Sequence, residues 1–177
     1  VHFRYRTDPP PKEAAVLVPL CQVAGVPSLL FTLRTSHLNS HQGEISFPGG
    51  KADPEDGSSE RTATRETEEE IGIKAGSIRI LGHLPPLPNK ALSMKVFPVV
   101  GLLPPMEDLH DLVPNTAEVA HIFTLPLAEL VDPDRCHMVQ FRKTGPWVAH
   151  WKVEDHVAGV EVWGLTAFIL THFLTHL

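Results

Sequence analysis

Apolar runs along the chain alternate with polar turns and divide it into many short strands and three helical segments. Two of these runs, residues 14–21 and 27–34, flank Ala24-Gly25 and predict a β-hairpin. The remaining apolar runs predict short strands, near residues 44–48, 77–84, 95–103, 118–124, 137–142, 147–153 and 160–163. Strands outnumber helices, so the pattern indicates a mixed sheet with helices packed on its faces.

The clearest helix in the pattern is polar and covers residues 60–71. It follows Ser58 and Ser59, either of which can cap a helix, and Gly72 can end it in the left-handed conformation. The preceding segment, residues 49–59, reads GGKADPEDGSS. Its Gly, Asp and Ser content predicts a loop that leads into the helix.

Two further helical segments are expected in the C-terminal third. Residues 125–130 predict a short helical turn, and a final helix is expected from about Leu165. This helix belongs to the most hydrophobic stretch, Val157–Leu177, which Glu161 and His172 interrupt. The uninterrupted apolar part is too short to span a bilayer. We therefore expect an amphipathic helix packed on the core and no membrane partner.

Composition places the 177 residues in a single domain, in which residues 1–13 are expected to form a peripheral N-terminal segment. The net charge of −6 disfavours nucleic acid as a partner, so local basic groups or metal ions must meet an anionic substrate. Cys21 and Cys136 lack CxxC spacing, which argues against a disulfide scaffold and predicts reduced thiols in an intracellular protein. Cytoplasmic, mitochondrial and peroxisomal locations stay open, as does the oligomeric state.

Acidic residues are concentrated on the polar helix. Glu66, Glu69 and Glu70 have i, i+3, i+4 spacing and share one helix face. Like charges at this spacing destabilise a helix by roughly 0.2–0.5 kcal/mol per pair. Either a divalent cation neutralises them, or the face is solvated and Arg65 pairs with Glu69. A Walker A loop is excluded because Ala52 occupies its Ser/Thr position, and the spacing of an EF-hand is also absent.

At these residues the chain resembles a Nudix hydrolase. The family's box, G-x5-E-x7-R-E-U-x-E-E-x-G-U with U apolar, is matched from Gly50 to Ile73. Asp56 stands at the first acidic position, one extra residue precedes Arg65, and Thr67 replaces an apolar residue. The resemblance implies an α/β/α sandwich with a mixed β-sheet between helices.

The upstream segment resembles the coenzyme A diphosphatase branch, whose signature is L-L-T-x-R-[SA]-x3-R-x3-G-x3-F-P-G-G. Residues 32–34 and 43–50 follow it, whereas Thr35 stands where the signature has Ser or Ala and Asn39 where it has Arg. This implies hydrolysis of coenzyme A or a derivative to 4′-phosphopantetheine, or its acyl form, and adenosine 3′,5′-bisphosphate. The alternatives are the same chemistry on ADP-ribose or NADH, a nucleotide-binding Nudix module without catalysis, and an acidic helix on an unrelated fold.

The resemblance also implies roles for the residues of the box. Glu66 and Glu70 are expected to bind Mg²⁺ or Mn²⁺, and Glu69 is a third ligand or the general base. Arg65 is expected to orient the glutamates. Glu66, Glu69 and Arg65 are therefore the candidate catalytic residues.

Other candidates lie around the box. Gly49 and Gly50 are expected to shape the loop at the substrate phosphates. Arg34 and Lys51 either bind phosphates or are ordinary surface charges. Glu118 is either an additional acid of the site or a solvated residue at the start of a strand.

Histidine and tryptophan side chains give weaker signals. His41 lies inside the signature segment and is a candidate loop or substrate contact. The eleven histidines are spread along the chain without HExxH spacing, so no histidine zinc site is expected. Trp147, Trp151 and Trp163 are expected in the core or on sheet faces rather than as platforms for base stacking.

Overall fold

The structure is a computed structural model that describes residues 8–36, 42–89, 91–140, 145 and 147–177. Its strands are β1 Lys12–Val23, β2 Val26–Arg34, β3 Ile45–Ser46, β4 Gly49–Lys51, β5 Arg79–His83, β6 Leu87–Pro88, β7 Met94–Leu102, β8 Val119–Pro126, β9 Cys136–Gln140, β10 Trp147–Lys152 and β11 Glu161–Val162. Its helices are α1 Ser59–Ile71, α2 Leu127–Leu130 and α3 Gly164–Leu174, with a 3₁₀ turn at Ala75–Ser77. None of the described helices is long and apolar enough to cross a membrane.

Strands β1 to β8 form one mixed sheet organised around β1. One edge of β1 pairs with β7 in parallel over residues 12–20. The other edge pairs first with β4, at residues 14–16, and then with β2, at residues 20–23. Between these two partners the amide of Leu17 donates to the carbonyl of Pro48 at 2.8 Å. On this edge, the partner of β1 therefore changes from β4 to β2 along the strand.

Helices cover the two faces of this sheet. Leu17 and Leu30 point to the face covered by α1, where they join Ile71 in one apolar cluster. Leu29 and Phe31 on β2 point to the other face and pack in one apolar cluster with Leu170 of α3. This alternation along β2 follows the two-residue period of a strand. The arrangement confirms the predicted α/β/α sandwich.

Strands β9, β10 and β11 form a separate antiparallel sheet of three strands. Its inner face carries Trp151 and Val162, which are buried in the same apolar cluster as α3. The indole nitrogen of Trp151 donates to the carbonyl of Leu130 at 3.2 Å, which confirms the expected core position of this tryptophan. Trp147 and Trp163 are exposed instead.

Most predicted elements are confirmed, including the hairpin, the Ser58 cap of α1 and the left-handed Gly72 at its end. The prediction of a loop over residues 49–59 is wrong at its start, because Gly49–Lys51 pair with β1. A Cβ atom at Gly49 would lie 2.4 Å from the carbonyl oxygen of Ala15. Glycine is therefore what allows the backbone to approach β1 this closely.

Several predicted boundaries also need correction. The strand predicted at 118–124 continues to Pro126, so the helical turn begins at Leu127 rather than at residue 125. The first strand begins at Lys12, two residues before its predicted start. Cys21 and Cys136 are free, as predicted, and burial raises the pKa of the Cys21 thiol to about 12.

Candidate active site

Helix α1 carries its acidic face into the sheet. It packs on β1 and β4, and its apolar anchors include Ala63 and Ile71. Glu70 follows Ala63 by seven residues and the buried Thr67 by three, so it lies on the same helical face as both. Burial of the apolar face therefore takes the carboxylate of Glu70 inside as well, with 2% of the residue exposed.

The surroundings of Glu70 offer little compensation for its charge. Its Oε2 accepts a hydrogen bond from the amide of Gly49 at 3.2 Å, and its Oε1 lies 3.5 Å from Nη1 of Arg34. Burial nevertheless raises the pKa of Glu70 to about 7, and the nearby charges of Glu118 and Glu66 contribute in the same direction. A cation bound here would favour the ionised carboxylate.

Glu66 lies one turn before Glu70, against Gly50 of β4. A Cβ atom at Gly50 would lie 2.4 Å from Cδ of Glu66 and 2.5 Å from each carboxylate oxygen. Burial raises the pKa of Glu66, whereas the guanidinium of Arg65 opposes this shift. The bare backbone at Gly50 therefore makes the space that the Glu66 carboxylate occupies.

Arg65 connects the helix to the preceding loop. Its Nε and Nη2 donate to the two carboxylate oxygens of Asp56 at 2.9 and 3.0 Å, and Nη2 also donates to the carbonyl of Lys51 at 3.1 Å. Its Nη1 lies 3.0 Å from Oε1 of Glu66 and 3.1 Å from Oε1 of Glu69. This guanidinium thus fixes the orientation of two of the three glutamates.

Asp56 holds the guanidinium of Arg65 from the loop before the helix. It is buried, and its Oδ2 also accepts hydrogen bonds from Oγ1 of Thr62 at 2.8 Å and from the amide of Asp53 at 3.0 Å. Hydrogen bonding to Arg65 is the main reason that the pKa of Asp56 lies well below its usual range. Asp56 therefore stays ionised and holds Arg65 in place.

The structure places the other predicted site residues as follows. Glu118 lies immediately before β8, and its charge acts on both Glu66 and Glu70, so it belongs to the same cluster. Lys51 is exposed at the end of β4, and Arg34 is partly buried beside Glu70. The Nε atom of Arg34 is buried and has no hydrogen-bond partner among the described residues. Asn39 and His41 lie outside those residues.

The glutamate cluster fits a hard divalent cation. Its donors are carboxylate oxygens, which suit Mg²⁺ and Mn²⁺ better than they suit softer metals. Among the residues that the structure describes, the buried carboxylate of Glu70 is compensated by one amide hydrogen bond and one long contact to a guanidinium. Glu69 is exposed, so an ion or a water molecule can reach its carboxylate while Arg65 holds it.

A second group of ligand-type side chains was missed by sequence reasoning. His137, His150 and Glu161 each offer one ligand atom, and these three atoms lie within 4.8 Å of one another. The fold therefore brings together two of the histidines that are spread along the sequence. Strand alternation was the available signal, but the pairing register that brings them together is not visible in the sequence.

Comparisons with known proteins point in one direction. Residues 11–158 match the family described as the NUDIX domain. The chain is 44% identical over 176 residues to human mitochondrial coenzyme A diphosphatase NUDT8, covering 94% of this chain and 70% of that protein. It is 41% identical over 178 residues to the uncharacterized Nudix hydrolase NudL of Photorhabdus laumondii, covering 95% of this chain and 90% of that protein.

A solved structure supports the same fold. The Nudix hydrolase RenU of M. smegmatis matches with a TM-score of 0.57 at 18% identity. The match covers 93% of this chain and 83% of that one. At this level of identity, the likeness concerns the fold alone.

Proposed function

The chain belongs to the Nudix hydrolase family, and on this premise we propose that it hydrolyses the diphosphate linkage of coenzyme A or a derivative. The observation that supports the chemistry is the buried carboxylate of Glu70, beside Glu66 on a helix braced by Arg65. The substrate is supported by the 44% identity to a protein named as a coenzyme A diphosphatase. The signature segment around Gly49 and Gly50 supports the same substrate.

Nudix hydrolases generally use divalent metal ions. Glu66 and Glu70 would hold Mg²⁺ or Mn²⁺ here, with Glu69 as a third ligand or as the general base. When bound, such an ion supplies positive charge that offsets the negative charge of the phosphoryl oxygens. Arg65 acts as a positioning residue, because its guanidinium nitrogens contact the glutamates and the preceding loop.

The cations near the cluster would bind substrate phosphates. Arg34 reaches the cluster through Nη1, and its side chain keeps 23% of its surface exposed, so the guanidinium can donate to a phosphate oxygen. Lys51 is exposed at the end of β4 and can approach the phosphates from solvent. Glu118 precedes Val119, which is paired with Arg34, and is proposed as an additional acid of the site.

The proposed reaction is a hydrolysis that balances without a co-reactant. The oxygen of water bonds to one phosphorus of the diphosphate, and the bond from that phosphorus to the bridging oxygen breaks. The proton of the attacking water passes to a base, for which Glu69 is the candidate, and then to solvent. The products are 4′-phosphopantetheine, or its acyl form, and adenosine 3′,5′-bisphosphate.

A second candidate is the same chemistry on another nucleoside diphosphate, such as ADP-ribose or NADH. It is favoured by Asn39, which replaces an arginine of the coenzyme A signature. Coenzyme A carries a 3′-phosphate that needs local positive charge, whereas ADP-ribose does not.

Product analysis separates these candidates. We would incubate the protein with Mg²⁺ and either coenzyme A or ADP-ribose in ¹⁸O-labelled water, with EDTA as the metal-free control. We expect metal-dependent release of adenosine 3′,5′-bisphosphate, with the label in one product showing which phosphorus is attacked. Faster release of AMP from ADP-ribose would overturn the substrate and retain the chemistry. No product from either substrate would count against both candidates.

A further inference from the structure

One face of the small sheet brings together three ligand-type side chains. His137 on β9 is paired directly with His150 on β10. Glu161 on β11 is paired with Lys152, which lies two residues after His150 and therefore points to the same face. The two histidines and the glutamate thus share one face as direct and diagonal neighbours across three strands.

The ligand atoms of these side chains face one another. Nδ1 of His150 lies 3.2 Å from Oε2 of Glu161, and Nε2 of His137 lies 3.6 Å from Oε1 of the same carboxylate. Ligands of one tetrahedral zinc ion lie about 3.4 Å apart, given metal–ligand distances of about 2.1 Å. Small side-chain rotations therefore suffice to place one ion between the three groups.

Hydrogen bonding within the protein does not account for His137. Its Nε2 is too far from Glu161, at 3.6 Å, for a good hydrogen bond. Its Nδ1 is buried and has no hydrogen-bond partner among the described residues. The imidazole of His137 is partly exposed and lies against another imidazole and a carboxylate. Neither of its nitrogens is paired among the described residues, so it has the lone pair that a metal ligand needs.

The backbone beneath the cluster is well anchored. Trp151 and Val162 alternate with the ligand-type residues, are paired with each other, and are buried in the core. This packing fixes the spacing of β10 and β11, and hence of His150 and Glu161. The side chains of His137, His150 and Glu161 keep 38%, 18% and 35% of their surface exposed, so an ion can reach them from solvent.

We propose that His137, His150 and Glu161 bind one zinc-class divalent ion, with its fourth position open to water. Two imidazoles and one carboxylate suit Zn²⁺, whereas the all-carboxylate cluster on α1 suits Mg²⁺. The bound ion links β9, β10 and β11 to one another. Because β11 leads directly into α3, the ion stabilises the contact of the small sheet with that helix.

Zinc titration of the metal-free protein tests this proposal without using diphosphatase activity. Chelator-treated protein would be titrated with Zn²⁺ in excess Mg²⁺, which occupies hard-cation sites. We expect one equivalent of Zn²⁺ to bind and to raise the melting temperature, because an ion that binds only the native state stabilises it. Co²⁺ in place of Zn²⁺ should give visible absorption bands typical of a low-coordinate nitrogen and oxygen site.

Matched variants locate the ion. His150→Gln and Glu161→Gln should each weaken Zn²⁺ binding at least about tenfold and remove the Co²⁺ bands. His83→Gln changes a surface histidine whose Nε2 lies 3.1 Å from Glu60, away from this sheet, and should bind as the wild type does. If a variant at either position fails to fold, His137→Asn supplies the same test at a half-exposed site.

The opposite results would overturn the proposal. Equal Zn²⁺ affinity in Glu161→Gln and wild-type proteins would place the ion elsewhere or show binding to scattered histidines. Loss of Zn²⁺ binding in Glu70→Gln, with retention in His150→Gln, would assign the ion to the α1 cluster. Failure of the diphosphatase assay would leave all of these binding measurements unchanged.

Discussion

The acidic cluster on α1 and the histidine cluster on the small sheet are assembled in different ways. Glu66, Glu69 and Glu70 come from one turn of one helix, whereas His137, His150 and Glu161 come from three strands. The first set is braced by a guanidinium and contains a carboxylate that is 2% exposed. The second is partly exposed and lies on one face of the small sheet. Burial makes the helical cluster the more sensitive of the two to substitution.

Glu70→Gln should produce the largest effect, because it removes the charge of the buried ligand while keeping its shape. We expect kcat for diphosphate hydrolysis to fall by about 10³-fold, the size of effect seen when a group that stabilises transition-state charge is lost. Glu161→Gln is the matched substitution in the histidine cluster and should leave kcat unchanged. Steady-state kinetics in saturating Mg²⁺, with circular dichroism to verify folding, measure both.

Each of the two variants has an outcome that would contradict these assignments. Near-normal turnover in a folded Glu70→Gln protein would remove Glu70 from the metal ligands. An equal loss in Glu161→Gln would show that the two clusters act together in the reaction.

The same contrast explains what the sequence could predict. A helix with a serine cap, an i, i+3, i+4 acidic face and a terminal glycine is encoded within fifteen residues, from Ser58 to Gly72. The burial of Glu70 and the Asp56–Arg65 pair follow from packing that no local pattern contains. Likewise, His137 meets His150 only through the register of a hairpin.

Glycines at the sheet illustrate a related failure of prediction. Gly49 and Gly50 read as a loop because they sit in a polar, glycine-rich stretch. They form β4 because β1 has a free edge there, which is a property of the assembled sheet and not of the segment.

Removal of metal should make the stability of the protein depend on the charge of Glu70. Because folding raises its pKa from 4.5 to about 7, the folded state binds more protons than the unfolded state between these pH values. The free energy of unfolding should therefore fall as pH rises through this range, by about 3 kcal/mol relative to Glu70→Gln. Urea denaturation in EDTA at a series of pH values measures this difference.

Adding Mg²⁺ sharpens this test. A cation at Glu70 favours the ionised form, so Mg²⁺ at pH 7 should restore most of the stability that the metal-free protein loses. A difference between wild type and Glu70→Gln that stays constant with pH would show that the carboxylate is ionised in the fold without help.

Gly50→Ala should give the smallest effect and the clearest separation of activity from stability. The new methyl group would lie 2.4 Å from Cδ of Glu66, which is the far end of a flexible side chain and can move. We expect the melting temperature to change little and kcat to fall about tenfold, since small displacements of a reacting group are costly. Gly82→Ala, where no atom lies within 4 Å of the new Cβ, is the control and should keep both values. Equal kcat in the two variants would mean that Gly50 does not set the position of the Glu66 carboxylate. A large loss of stability in Gly50→Ala would mean that the helix, rather than the side chain, has to move.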